Sequence, residues 1–155
     1  AEIIEMMVHS RSNGANFLLN IGPTAQGGIP DYERTLLALL GKWISLYGEA
    51  VYAPKPVEYA AAQGKDCILK DGSSYYFFVH DLKCTGDQNV VVTLGGPCTK
   101  SIDGIPEKVT SCTWLDSGQQ LDFVQDAERR MLAIKCTGFP YGTHTVVRVM
   151  KITTE

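Results

Sequence analysis

Few side chains in this sequence stand at spacings that chemistry could use. Asp31 and Glu33 form a carboxylate pair. Residues two apart on a helix point in different directions, so they do not converge on one reacting group. Their place at the start of an amphipathic run suits them better to cap or complement the positive end of a helix. The three histidines, His9, His80 and His144, have no second ligand at readable spacing. His9 closes a helical stretch, where a cation suits the dipole. The five cysteines are Cys67, Cys84, Cys98, Cys112 and Cys136. None forms a Cys-x-x-Cys pair and no histidine lies near one at zinc spacing, so neither a metal nor a cofactor is expected. They read as buried free thiols in strands. Their odd number favours a reducing compartment such as the cytoplasm, with secreted, periplasmic and lysosomal settings left open.

The elements that must position these groups fall into two parts. Ile3, Ile4, Met7 and Val8 make one apolar stripe, which Asn13-Gly14 stops with a left-handed turn; this predicts a helix over Glu2–Ser12. Residues 16–21 follow as an apolar run broken only by Asn20 and ended by Gly22-Pro23, since proline has no amide hydrogen to continue a ladder. Phe17-Leu18-Leu19 does not alternate, so the run reads as a central strand of a parallel sheet, covered on both faces. A glycine-rich loop leads to a helix starting at Asp31, with Leu36, Leu39, Leu40, Trp43 and Tyr47 on one face and Gly48 as its stop. Helix, strand, loop and helix in this order make the repeating unit of an α/β barrel or doubly wound sheet.

The character changes at Glu49, and Ala53-Pro54-Lys55-Pro56 reads as a stiff linker. Beyond it the expected strands are 67–69, 74–80, 89–94, 109–114, 120–124, 131–135 and 145–152, separated by turn clusters such as Asp71-Gly72, Asp103-Gly104 and Ser117-Gly118. About seven short strands at regular spacing within ~100 residues predict an antiparallel β-sandwich. The fold class expected is therefore mainly β: a C-terminal antiparallel sandwich preceded by the last strand and helix of a (β/α) barrel.

Composition narrows the function. Net charge is −3, which gives no basic field for nucleic acid. No apolar run approaches the ~20 residues of a membrane-spanning helix. Trp114 and the run Tyr75-Tyr76-Phe77-Phe78 suggest either sugar stacking or packing against another layer, because successive strand residues face opposite ways.

The stretch Asn13-Gly14-x-Asn16-x-Leu18-Leu19-Asn20-Ile21-Gly22-Pro23, continued by Gly27-x-Ile29-Pro30, Trp43 and Gly48-Glu49-Ala50-Val51-Tyr52, resembles the last barrel strand and following helix of the α-L-fucosidases of glycoside hydrolase family 29. The likeness covers roughly residues 1–56 by motif and the remainder by architecture. Ala53-Pro54-Lys55-Pro56 stands where the family often has Gly-Thr-Arg-Pro, and Gln26 where it often has an acid; these departures bear on subfamily and substrate preference.

The resemblance implies a retaining glycosidase, with an aspartate nucleophile and a glutamate that acts as acid and then base, about 5–5.5 Å apart. In the family both lie upstream of this strand, so it implies no catalytic residue here. A complete barrel takes ~250 residues. The chain then reads as a C-terminal fragment, with residues 1–51 a barrel remnant and 52–155 the sandwich, expected not to hydrolyse fucosides alone. Its implied partners are a fucosylated glycan, met through the parent enzyme, and the barrel itself. The unpaired segment 16–21 is expected to self-associate or rearrange onto the sandwich. At the C-terminal end of a barrel strand, Asn20 would sit on the substrate-site rim, orienting a catalytic group or touching sugar; the other reading has its amide tying down the loop backbone. A free-standing β-sandwich module that binds carbohydrate is the second reading, and a purely structural sandwich the third.

Overall fold

The computed structural model describes residues 2–80, 82, 84–86, 91–93, 98–138 and 146–155. Two helices, α1 (Glu2–Ser12) and α2 (Asp31–Tyr52), come first. The strands follow: β1 (Lys55–Pro56), β2 (Ala61–Ala62), β3 (Cys67–Asp71), β4 (Ser74–Val79), β5 (Cys84–Gly86), β6 (Val91–Thr93), β7 (Thr99–Asp103), β8 (Val109–Trp114), β9 (Phe123–Asp126), β10 (Met131–Lys135) and β11 (Arg148–Thr154). A five-stranded sheet runs β1-β3-β4-β11-β8 and a four-stranded sheet β2-β7-β10-β9, with β5 and β6 paired apart. Every pairing is antiparallel. The protein is mainly β, and its two facing sheets are the expected sandwich.

The five-stranded sheet is buried on both faces, and strand alternation explains how. Tyr75 and Phe77 of β4, opposite Ile152 and Met150 of β11, point toward the second sheet with Cys112 and Trp114. Ile102, Leu132 and Ile134 close that core from the other side. Tyr76 and Phe78 point the opposite way, with Leu69 and Val149, into a second core built on Met7 and Val8 of α1 and Trp43, Tyr47, Ala50 and Val51 of α2. Tyr75, Tyr76, Phe77 and Phe78 are each no more than 3% exposed and Trp114 is fully buried. Packing, not sugar stacking, is the role of these aromatics, and the covering layer is the helix pair.

Several expectations need correction. Residues 16–21 form no strand. Phe17 packs against the helix-side core, but Leu18 is 82% exposed and Ile21 38%. The apolar run is there, yet among the described residues no neighbouring strand pairs with it, and a strand exists only through its ladder. Gly48 does not end α2. The helix continues to Tyr52 because Ala50 and Val51 bury against the sheet, outweighing the ~1 kcal/mol helix penalty of glycine. The Pro54 region is not a free linker: Lys55 and Pro56 pair with Lys70 and Leu69, and the Pro54 carbonyl accepts from Arg11 Nη2 at 2.8 Å. Strand β7 was not expected from the sequence. Ile102 is its one fully buried apolar residue, so its alternation is thin. The expected strand 89–94 and the His144 position lie partly or wholly outside the described residues. Cys67, Cys98, Cys112 and Cys136 are free thiols, Cys112 and Cys136 buried. Burial pushes the Cys67 and Cys112 thiols up to about 12, so neither is reactive at neutral pH.

Candidate functional site

Asn20 lies in the segment joining α1 to α2, and the residues around it are fixed by local chemistry. Helix α1 ends as its sequence requires: Asn13, Gly14 and Ala15 amides return to His9, Arg11 and Ser10 carbonyls, and Gly14 takes φ 69°. Further on, a small turn is closed by Thr24. Its hydroxyl accepts from the Gly28 amide at 3.0 Å, its own amide donates to the Gly28 carbonyl at 2.8 Å, and Gly27 takes φ 80° between them. Pro30 precedes α2 with no side-chain cap. Asp31, expected to cap the helix, stays exposed beside Arg34 at 4.0 Å. Glu33 stands in the first turn, as expected, and does a second job as well, accepting the Gly22 amide on Oε1 at 3.1 Å.

Asn20 itself is exposed and makes no side-chain hydrogen bond among the described residues. It therefore does not tie down the loop, which is held by Glu33 and Thr24. Nothing in the sequence marked Glu33 for this, because the contact spans eleven positions and depends on how the loop folds back.

A second polar cluster lies where α1 meets β3 and β4. A cleft of about 550 Å³ is lined there by Glu5, His9, Ser12, Lys65, Asp66 and His80. Asp66 accepts the His80 amide on Oδ1 at 2.8 Å and faces Lys100 Nζ at 2.9 Å. The His80 Nδ1 atom is buried with no hydrogen-bond partner among the described residues. Among the described residues no three histidine, cysteine, aspartate or glutamate side chains could hold a metal ion. Sequence distance hid this cluster as well. His80 was recognised only as a lone histidine.

Two of these polar contacts predict acid sensitivity. Burial holds the His80 imidazole below its ordinary 6.5, with Asp66 and Glu5 pulling only partly the other way. Glu49 accepts from Lys151 and Tyr76, and these hydrogen bonds hold its carboxyl below the ordinary 4.5. Both folded values are depressed. Each group therefore contributes stability that is present above its unfolded pKa and is lost as pH falls through the folded one. Thermal midpoints should decline in two stages on acidification, first below about pH 6.5 and again below about pH 4.5. His80→Phe should flatten the first stage. A midpoint unchanged between pH 7.5 and pH 5 would count against the assignment.

Comparison with known proteins agrees with the likeness read in residues 13–52. The family model described as alpha-L-fucosidase matches residues 1–49. The tissue alpha-L-fucosidase of Rattus norvegicus is 36% identical over 149 residues, covering 94% of this chain and 29% of the rat protein. The human tissue enzyme is 41% identical over 105 residues, 65% of this chain and 21% of that protein. Among solved structures, alpha-L-fucosidase isoenzyme 1 from Paenibacillus thiaminolyticus superposes with a TM-score of 0.73 at 19% identity, covering 99% of this chain and 34% of that one. The Thermotoga maritima alpha-fucosidase gives 0.68 at 20% identity, covering 97% and 34%. At that identity the structures speak to the fold alone, and the fold they share runs through both helices and both sheets. By these matches the chain is similar to a part of the α-L-fucosidases, and it spans less than a third of the length of the curated relatives it matches.

Proposed function

We propose that this chain is the rim-and-brace portion of a retaining α-L-fucosidase that releases α-linked L-fucose from glycans. The aspartate nucleophile and glutamate acid/base lie in a barrel body outside these residues. Residues 1–51 dock onto that body, and residues 52–155 form the sandwich that holds them. The observation that carries the reading is the state of the segment matched by the family: its loop is fixed by Glu33 and Thr24, while the exposed Asn20 amide makes no hydrogen bond among the described residues. Such an amide at that position suits contact with a sugar hydroxyl or a catalytic carboxylate. The carbohydrate-module alternative has no comparable support, since the aromatics it needs are buried.

The docking face is supported by what the fold leaves uncovered. Tyr32, Leu39 and Leu46 are 78%, 61% and 45% exposed on α2. Their seven-residue spacing puts them on one side of the helix, next to the buried stripe. Leu18 and Ile21, in the segment leading to that helix, are exposed as well, and exposed apolar side chains recruit a partner where they are contiguous. In the longer polypeptide that partner is the barrel. In the isolated chain it is a second copy, reached through residues 16–21.

Two measurements test this. The chain alone should show no enzyme-dependent release of nitrophenol from a nitrophenyl α-L-fucoside, whereas the polypeptide carrying the upstream barrel should turn it over with retained configuration. Turnover by the isolated chain would refute the division of labour. In sedimentation the chain should associate with rising concentration, and Leu18→Asp should return it to monomer. A monomer throughout would remove the self-association.

A further inference from the structure

We infer that Glu33 is a positioning residue for the reaction: through the Gly22 amide it sets where the Asn20 side chain is presented. The inference rests on the rim role proposed for Asn20 and goes beyond it by naming what holds that residue in place. Asn20 has no hydrogen bond of its own among the described residues, so its position depends on the backbone two residues on. That backbone is held at Gly22 by Glu33 Oε1 at 3.1 Å and is then stiffened by Pro23.

Glu33 is fit for the task on three counts. It stands in the first turn of α2, where the helix dipole favours a carboxylate. Its Oε2 is shielded from solvent and has no hydrogen-bond partner among the described residues, so one carboxylate oxygen rests against protein while the other holds the exposed Gly22 amide. A charged acceptor also makes a stronger hydrogen bond to an amide than a neutral one does. The helix that anchors the carboxylate is itself fixed to the sandwich, through Trp43 Nε1 donating to the Val147 carbonyl at 2.8 Å. The sandwich is thereby connected to the rim by a continuous path: β11 and its approach, α2, Glu33, Gly22, Asn20. This gives the accessory domain a part in catalysis that a distant brace would not have.

The test uses the full-length polypeptide for kinetics and the chain itself for hydrogen exchange. Glu33→Ala should speed exchange of the Gly22 amide and lower kcat by about tenfold to a hundredfold, the scale of a misplaced catalytic contact, with the smaller change in KM. Glu33→Gln keeps an acceptor oxygen at the Oε1 position without the charge and should restore part of both. Asn20→Ala should reproduce the kinetic loss without changing Gly22 exchange. If Asn20→Ala is impaired while Glu33→Ala is not, the clamp is overturned and the rim reading stands. If Asn20→Ala is silent, the rim reading fails and takes the clamp with it. If Glu33→Ala and Glu33→Gln lose activity equally, or Glu33→Ala lowers only the melting midpoint, positioning through this hydrogen bond is overturned.

Discussion

Arg148→Ala is expected to cost about 3–5 kcal/mol, the range for breaking a buried ion pair from one side. Arg148 is 1% exposed at the start of β11, the strand that joins β4 to β8. Its Nε donates to Asp116 Oδ2 at 2.8 Å and its Nη2 to Asp116 Oδ1 at 3.0 Å, a two-point grip on a carboxylate that is itself only 15% exposed. Nη1 donates at 3.0 Å to the Thr137 and Gly138 carbonyls, and the guanidinium lies 4.2 Å over the Trp114 ring. Alanine would strand the Asp116 charge, release two carbonyls and open a void beside the tryptophan. The damage should reach the helices, because Tyr47 of α2 donates its hydroxyl to the same Asp116 at 3.2 Å. Total stabilities of 5–15 kcal/mol leave little margin for such a loss.

A double-mutant cycle separates the causes. Arg148→Met keeps much of the packing but abandons Asp116, and should remain strongly destabilised. Adding Asp116→Leu removes the orphaned charge and should recover part of the loss, because a buried pair replaced on both sides by apolar groups is often tolerated. Urea denaturation gives each value. Strict additivity of the two substitutions would show that the pair is not the source of the effect.

How far the sequence announced this architecture depends on the range of each signal. Positive-φ turns at Gly14, Gly72, Gly104 and Gly118 were legible because Asn-Gly, Asp-Gly and Ser-Gly carry their own geometry. Strands β3, β4, β8 and β10 were legible from β-branched and aromatic runs between those turns. The assignment of a doubly covered strand went to the wrong segment. Phe17-Leu18-Leu19 and Tyr75-Tyr76-Phe77-Phe78 are both continuous apolar runs, yet β4 is the one flanked by two strands and sandwiched by two cores. Periodicity reports that a run wants cover; it does not report whether the covering residues belong to the same stretch of chain. Polar partnerships such as Asp66 with Lys100, Glu49 with Lys151 and Glu33 with Gly22 were illegible for the same reason. Each joins residues whose proximity exists only after the chain has folded back on itself. The family motif escaped this limit, since its apolar run, loop and helix follow one another in sequence.

Gly104→Ala should be as damaging as the loss of Arg148, by a different route. Gly104 follows β7 with φ 96° and donates its amide to the Arg130 carbonyl at 2.8 Å. A Cβ there would lie 1.8 Å from the Tyr59 carbonyl oxygen and 3.1 Å from the Ala60 Cα. Those atoms are backbone, so no rotamer change relieves the contact. Relief would require moving residues 59–60, and with them Ala60, which is buried in the inter-sheet core, and β2, which pairs Ala61 with Asp103 on the edge of the four-stranded sheet. The backbone conformation alone costs a non-glycine residue about 1–3 kcal/mol, and displacement of a buried edge adds to it, so a loss of at least ~3 kcal/mol is expected. Gly118→Ala is the control: its φ is 70°, but nothing lies within 4 Å of the added carbon. Only the conformational part of the cost applies there, about 1–2 kcal/mol. Equal midpoints for the two variants in urea would mean that the close approach of residues 59–60 to Gly104 does not limit this position, and that β2 moves without cost to the sandwich.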